Sequence, residues 1–314
     1  MRNMLILAGL LGCMRPVVVR GGDGWTWRDV SFTAACDGTT QFYVLGLPQE
    51  FRSGEPHSVL IALHGHGSDR WQFVRDPRDE CRAARDAAAR HHMIFVSPDY
   101  RAKTSWMGPK AEADVVQIIG ELKREYRIDR VIVCGGSMGG AACLTFAALH
   151  PDLVDGVASI NGLANHLEYE QFQDAIRDSF GGPKAVIPLE YKRRSAEYWP
   201  ERLTMPVAMT AGGRDELVPP QSVMRLANVL KLLERDVLLV YRPDGGHSTD
   251  YGDATKILDF AITTRRKRAT SAPAAGSADV RASNGVHPGT GRILSPAHIS
   301  KAGDSTCHFE RSER

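Results

Sequence analysis

Short, unbroken apolar runs recur along this chain, and most are separated by stretches in which apolar residues return at helical spacing. Runs such as Val59-Leu60-Ile61-Ala62-Leu63 and Val131-Ile132-Val133-Cys134 are short for helices and continuous rather than alternating. They read as strands buried on both faces, which is the habit of a parallel sheet. The pattern predicts strands at 41–45, 58–63, 93–97, 130–134, 156–160, 207–211 and 237–241. Helices are predicted between them at 77–91, 109–126, 138–150, 220–233 and 250–263. Within the second of these, Val115, Ile118, Ile119 and Leu122 share one face, which is core packing. Strand and helix alternate, so the expected class is α/β, a doubly wound and mostly parallel sheet. One connection, 161–205, is too long for the alternation and is expected to carry helices and cap the sheet's functional edge. It is rich in charge and also brings Tyr169, Phe172, Phe180, Tyr191, Tyr198 and Trp199.

The chemistry concentrates where strands end. Gly135-Gly136-Ser137-Met138-Gly139-Gly140 joins a predicted strand to a predicted helix. In such a G-x-S-x-G turn the serine takes a strained backbone while glycines remove side chains that would clash. The new helix aims free N–H groups and its positive dipole end at an oxyanion forming beside Ser137. A hydroxyl needs a base, an oriented acid and a second oxyanion donor to act as a nucleophile. His247, in Gly245-Gly246-His247-Ser248, follows the last predicted strand and is the base candidate. Asp215, in Gly213-Arg214-Asp215-Glu216, leaves the strand before it and is the acid candidate, with Glu216, Asp244 and Asp250 as competitors. The backbone N–H groups of His66, in His64-Gly65-His66-Gly67, and Met138 are the expected oxyanion donors. A metal site on His64, His66 and Asp69 is the rival reading of that loop, but two histidines without a clear third ligand argue for none. Tyr100 and Trp106, in the loop after a strand end, are candidate pocket residues.

These motifs, with the segment 114–140 and Arg194-Ser195-Ala196, resemble an α/β-hydrolase of the esterase and prolyl-oligopeptidase-like group from about Gln41 to Phe260. Within the group the chain looks most like bacterial polyhydroxybutyrate-depolymerase-like, feruloyl and acetylxylan esterases. The resemblance implies an α/β-hydrolase fold with a helical cap insertion, Ser137 as nucleophile, Asp215 as acid and His247 as base. It implies a serine carboxylic ester hydrolase acting on short-acyl or carbohydrate-linked esters, without a cofactor. The alternatives are a peptidase or acylaminoacyl hydrolase with the same triad, or a binding protein that has lost catalysis. The region ahead of the catalytic part is too short for the propeller of true prolyl oligopeptidases, and no carbohydrate-binding module is visible.

Composition changes this picture little. At 314 residues, 43% hydrophobic and 24% charged, the chain holds one full α/β core plus a tail. Its net charge of +2 hides an uneven split. From Arg265 onward nine Lys or Arg face four Asp or Glu, whereas 30 face 33 before it, so nucleic acid is not an expected partner of the folded part. The tail, 265–314, is rich in Ala, Ser, Gly and Pro and is expected to be disordered, leaving 23–264 as the catalytic domain. The segment 1–22 carries an apolar run that ends at Leu11-Gly12-Cys13, in the manner of a short lipoprotein signal; its nine apolar residues are too few to span a bilayer. Export, lipid anchoring at Cys13 and a cytoplasmic location all stay open. Of six cysteines none form C-x-x-C; Cys134 and Cys143 are expected to be buried, and Cys36 with Cys81 is a candidate disulfide for an exported chain.

Overall fold

The computed structural model, which describes residues 18–20, 24–101 and 103–266, opens with an antiparallel ribbon. Its strands are β1 (Val18–Arg20), β2 (Trp25–Thr33) and β3 (Thr40–Pro48). Then follow β4 (His57–Leu63), α1 (Gln72–Arg75), α2 (Asp79–Arg90), β5 (Ile94–Pro98), α3 (Pro109–Glu125), β6 (Ile128–Gly136), α4 (Met138–Leu149) and β7 (Gly156–Ile160). The long connection carries α5 (Gln173–Phe180), α6 (Pro188–Arg193) and two 3₁₀ turns, Ala196–Tyr198 and Pro200–Arg202. The chain continues through β8 (Val207–Gly212), α7 (Gln221–Leu232), β9 (Val237–Arg242) and α8 (Tyr251–Thr263). The apolar run at 4–12, Cys13, the tail from 267 onward and Cys307-His308 lie outside the described residues.

One sheet of nine described strands runs β1-β2-β3-β5-β4-β6-β7-β8-β9. Every neighbouring pair from β5 to β9 is parallel, so the strand ends that carry loops to the site share one edge. Period-two alternation explains why these strands are apolar throughout. In β4, Val59, Ile61 and Leu63 pack with Ile118 of α3, Phe146 of α4 and Leu226 of α7. Leu60 and Ala62 face the other way, onto Ala84 of α2 and Leu258 of α8. The sheet is thus wound on both faces, and all seven predicted strands and five predicted helices are present.

The apolar pattern does not predict β2, for a physical reason. Trp25 and Trp27 bury on the face of α2 and α8, whereas Val30 and Phe32 pack against the opposite cluster. The alternation therefore changes phase at Arg28-Asp29 while the pairing with β3 runs on unbroken. Opposite Trp27 stands Gly46, where any Cβ would collide with the indole ring. Arg70 then ties the ribbon to the sheet edge, donating to both Asp29 oxygens (2.8 and 2.9 Å) and to Asp99 Oδ2 (2.8 Å).

The connection over 161–205 is anchored by a buried cation. Arg194 is 0% exposed and donates to Glu190 Oε1 (2.6 Å), Glu112 Oε2 (2.7 Å) and the Met107 carbonyl (2.6 Å). Glu112, on α3, also meets His150 Nε2 (2.9 Å) and Arg193 Nη2 (3.2 Å). Burial alone would raise the Glu112 carboxyl, but the His150 hydrogen bond and the Arg194 cation overturn that and hold it at about 2. The candidate Cys36–Cys81 disulfide is not formed: Cys81 is buried in α2, and exposed Cys36 accepts from Arg101 Nη2 (3.1 Å). Cys134 and Cys143 are buried as expected. The start of the basic run is docked, since Arg266 Nη2 donates to the Pro151 and Val154 carbonyls (2.7 and 2.8 Å). No helix among the described residues is long and apolar enough to cross a membrane.

Candidate active site

β6 ends at Gly136, α4 begins at Met138, and Ser137 alone makes the turn, at φ +57° and ψ −120°. A non-glycine residue held there stores of the order of 1–3 kcal/mol. The surroundings enforce it. Ser137 N–H donates to the Ile160 carbonyl at the end of β7 (2.8 Å), and its own carbonyl accepts from Ala141 (3.0 Å) in the first turn of α4. Gly139 can carry no side chain, because a Cβ would run into the Leu63 carbonyl of β4.

His247 reaches this serine from the loop after β9. Its Nε2 lies 2.9 Å from Ser137 Oγ, and its Nδ1 lies 2.7 Å from Asp215 Oδ2, on the loop after β8. Asp215 Oδ1 accepts from the N–H groups of Leu217 (3.1 Å) and Val218 (2.9 Å). Burial pushes this carboxyl upward, but the His247 and Val218 hydrogen bonds outweigh it, and the group titrates below the ordinary aspartate range. A carboxylate kept ionised accepts a hydrogen bond from His247 Nδ1–H, which fixes the proton on Nδ1 and leaves the Nε2 lone pair facing the serine hydroxyl. The competing acids are occupied elsewhere. Glu216 is exposed, Asp244 pairs with Arg214 at the surface, and Asp250 caps α8 by accepting from Asp253 N–H (2.8 Å).

The loop 64–67 is pinned at almost every polar group. Gly65 N–H donates to Gln72 Oε1 (2.8 Å), Gly67 N–H to the Lys103 carbonyl (2.6 Å) and Ser68 N–H to the Gly65 carbonyl (3.2 Å). The His66 and Met138 N–H groups have no partner among the described residues, so each is available to an oxyanion. The metal reading loses its ligands here. His64 is buried with both ring nitrogens against backbone carbonyls, and no group of three metal-binding side chains exists among the described residues.

A cleft of about 270 Å³ opens over Ser137 and His247. Phe172 and Leu217 form its apolar wall, and Ser68, Gln72, Arg78 and Glu80 its polar one. Tyr100 and Trp106, expected to line a pocket, lie behind this one instead. Tyr100 is buried with its hydroxyl donating to the His64 carbonyl (2.6 Å). Trp106 is also buried, and its Nε1–H donates to His66 Nδ1 (3.2 Å), fixing the ring beside the free N–H. Three further residues escape sequence reasoning: Asn161, Thr210 and Thr249, which bond to one another and to the acid and base loops. Their only signal is position, since Asn161 directly follows β7 and Thr210 lies within β8, the strand that leads to the acid.

The prolyl oligopeptidase family model matches residues 100–263, just over half of the chain. No sequence relative is found among curated proteins. Among solved structures the chain is similar to an S-formylglutathione hydrolase from Agrobacterium tumefaciens, at TM-score 0.60 and 16% identity over 78% of this chain and 96% of that one. An acetyl xylan esterase from Paenibacillus sp. R4 is similar at TM-score 0.60 and 16% identity, over 79% and 87%. A puromycin hydrolase superposes at TM-score 0.61 and 18% identity, over 78% of this chain and 38% of that one. These likenesses establish a shared fold, while the family match is by sequence. The chain therefore belongs to the prolyl oligopeptidase family and is a serine hydrolase with the α/β-hydrolase fold.

Proposed function

We propose that this serine hydrolase cleaves carboxylic esters, short-acyl or carbohydrate-linked, through an acyl-enzyme on Ser137. The observation that carries the proposal is the unbroken relay from Ser137 Oγ through His247 to Asp215. As Ser137 Oγ attacks the ester carbonyl, its proton passes to His247 Nε2, and Asp215 stabilises the imidazolium without taking the proton. The carbonyl oxygen becomes an anion facing the His66 and Met138 N–H groups. His247 then gives its proton to the departing alcohol, and water repeats the cycle to free the acid. The small cleft with one charged wall favours short, polar substrates, and the connection over 161–205 serves as its cap within a catalytic domain of 23–264. Two neighbours carry short acyl groups in their names, an acetyl xylan esterase and an S-formylglutathione hydrolase.

A fluorophosphonate probe followed by a p-nitrophenyl ester series tests this. The wild-type chain is expected to label, Ser137→Ala to stay unlabelled with turnover down on the order of 10⁶, and acetate or butyrate to outpace chains of ten or more carbons. Fastest turnover at palmitate would make the enzyme a lipase. Amide cleavage faster than ester cleavage would make it a peptidase, the reading that the family's description and the puromycin hydrolase neighbour support.

A further inference from the structure

Asn161 is the first residue after β7, held at φ +45° and almost fully buried, in a conformation that costs an asparagine little but brings no benefit by itself. Every polar group of the residue except its carbonyl is directed at the relay or at the strands that carry it. Its N–H donates to Thr210 Oγ1 (3.1 Å), within β8. Its Oδ1 lies against both Thr210 Oγ1 (3.0 Å) and Thr249 Oγ1, two residues past the base, and the hydroxyls lie 2.8 Å from each other, so their two protons serve three contacts and at least one goes to Oδ1. On the other side of the amide, Nδ2 points one hydrogen toward Asp215 Oδ2 (3.5 Å) and the other toward the Gly246 carbonyl (3.3 Å). Asp215 Oδ2 is the oxygen that receives His247 Nδ1–H, and Gly246 immediately precedes His247.

We infer that Asn161, with Thr210 and Thr249, is a positioning residue for the relay: one neutral amide fixes both the acid's oxygen and the backbone of the base's loop from the end of β7. The inference rests on the proposed acyl-enzyme reading. The amide is suited to this role because it can donate to the carboxylate without competing for its charge. A lysine or arginine there would form an ion pair with Asp215 and weaken its hold on the imidazolium. The hydroxyls complete the arrangement, since they satisfy Oδ1 and so decide which end of the amide faces Asp215. Acid and base leave two different strands whose loops meet through the Arg214 N–H and the Gly245 carbonyl (2.8 Å), and Asn161 adds one amide that reaches both the acid's Oδ2 and the carbonyl next to the base. A misplacement of about 1 Å at such a contact costs about 100-fold in rate.

The test measures kcat and KM on p-nitrophenyl acetate and the second-order rate of fluorophosphonate labelling. Asn161→Ala is expected to lower kcat and the labelling rate together, by about 10- to 100-fold, with KM within about twofold. Thr249→Val is expected to lower both in the same sense, and Thr249→Ser, which keeps the hydroxyl, to recover most of the loss. In an Asp215→Asn background the further cost of Asn161→Ala is expected to shrink below about threefold, because what it positions is already gone. Equal costs in both backgrounds would overturn the inference, as would wild-type labelling by both Asn161→Ala and Thr249→Val. If Asn161→Ala does not fold, the Thr249 pair decides the matter alone. A wild-type chain that fails to label would instead overturn the acyl-enzyme reading itself.

Discussion

Two polar clusters are buried beneath the loops at the carboxyl edge of the sheet, and they are built from opposite materials. Around Asn161 the acid's partners besides His247 are neutral, an amide and two backbone N–H groups, and two neutral hydroxyls hold that amide in place. Around Arg194 the groups are fully charged, with one buried cation between two carboxylates. The first cluster surrounds a carboxylate that must keep its charge for a histidine, so a fixed cation nearby would be a competitor. The second has no chemistry to protect and joins α3 to α6, where the strength of paired charges in a dry site is useful. A neutral network therefore holds geometry, and an ionic one holds a segment down.

The sharpest way to break this contrast is to strike each cluster and ask which property fails. Asp215→Asn is expected to cost on the order of 10⁴ in kcat, because the imidazole loses its oriented tautomer, while urea unfolding stays near wild type. A large drop in unfolding midpoint would show that the acid is also a structural anchor. Arg194→Ala is expected to do the reverse. It removes the buried donor shared by Glu190, Glu112 and the Met107 carbonyl, leaving the carboxylates only His150 and half-exposed Arg193, for a loss of about 3 kcal/mol of stability, with kcat at low temperature nearly unchanged. Chemical denaturation and initial rates on the same preparation separate the two outcomes.

Acid sharpens the comparison further. Glu112 is held at about 2, below its ordinary value of 4.5, by the His150 hydrogen bond and the Arg194 cation, against the upward push of burial. A depressed carboxyl contributes stability that is fully present above its unfolded value and is lost as the pH falls through its folded one. The wild-type chain is expected to lose of the order of 3 kcal/mol between about pH 4.5 and 2 through this group, and Glu112→Gln to show a flatter profile over that window. Equal slopes in the two proteins would remove Glu112 from the account. The smallest effect is expected from Trp106→Phe, which keeps a ring against Tyr169 and Phe172 but deletes the donor to His66. A drop of up to about tenfold in kcat/KM, worth about 1.4 kcal/mol, matches one neutral hydrogen bond; an unchanged rate would show that packing alone orients His66.

The fold was legible because burial on both sheet faces leaves apolar runs that need no partner to be recognised. β4 and β6 are read from their own residues. β2 was not, because the two faces it serves lie on opposite sides of a phase change at Arg28-Asp29, which looks like the end of a pattern. In the site, Ser137, Asp215 and His247 each stand at a strand end with glycines beside them, so position marks them. The cluster around Asn161 has no such mark, since its bonds join residues 49 and 88 apart in the chain. Tyr100 and Trp106 show a different limit. Their placement after β5 is evident from the sequence, but Tyr100, Arg101, Trp106 and Met107 all take positive φ without being glycine, and the loop turns both rings inward.

β9 gives the relay an uneven footing. Among the described residues the strand pairs with β8 alone, and Val240 is the one buried residue of its six. Ser137, by contrast, follows β6, which lies between β4 and β7 in the middle of the sheet. Local opening costs least where contacts are few, and it takes with it whatever the opened segment carries. The base is therefore expected to sit in a part of the molecule that exchanges its amide hydrogens sooner than the part holding the nucleophile. On warming, activity is expected to fall before the core unfolds and to return on cooling; activity and circular dichroism lost at the same temperature would contradict this.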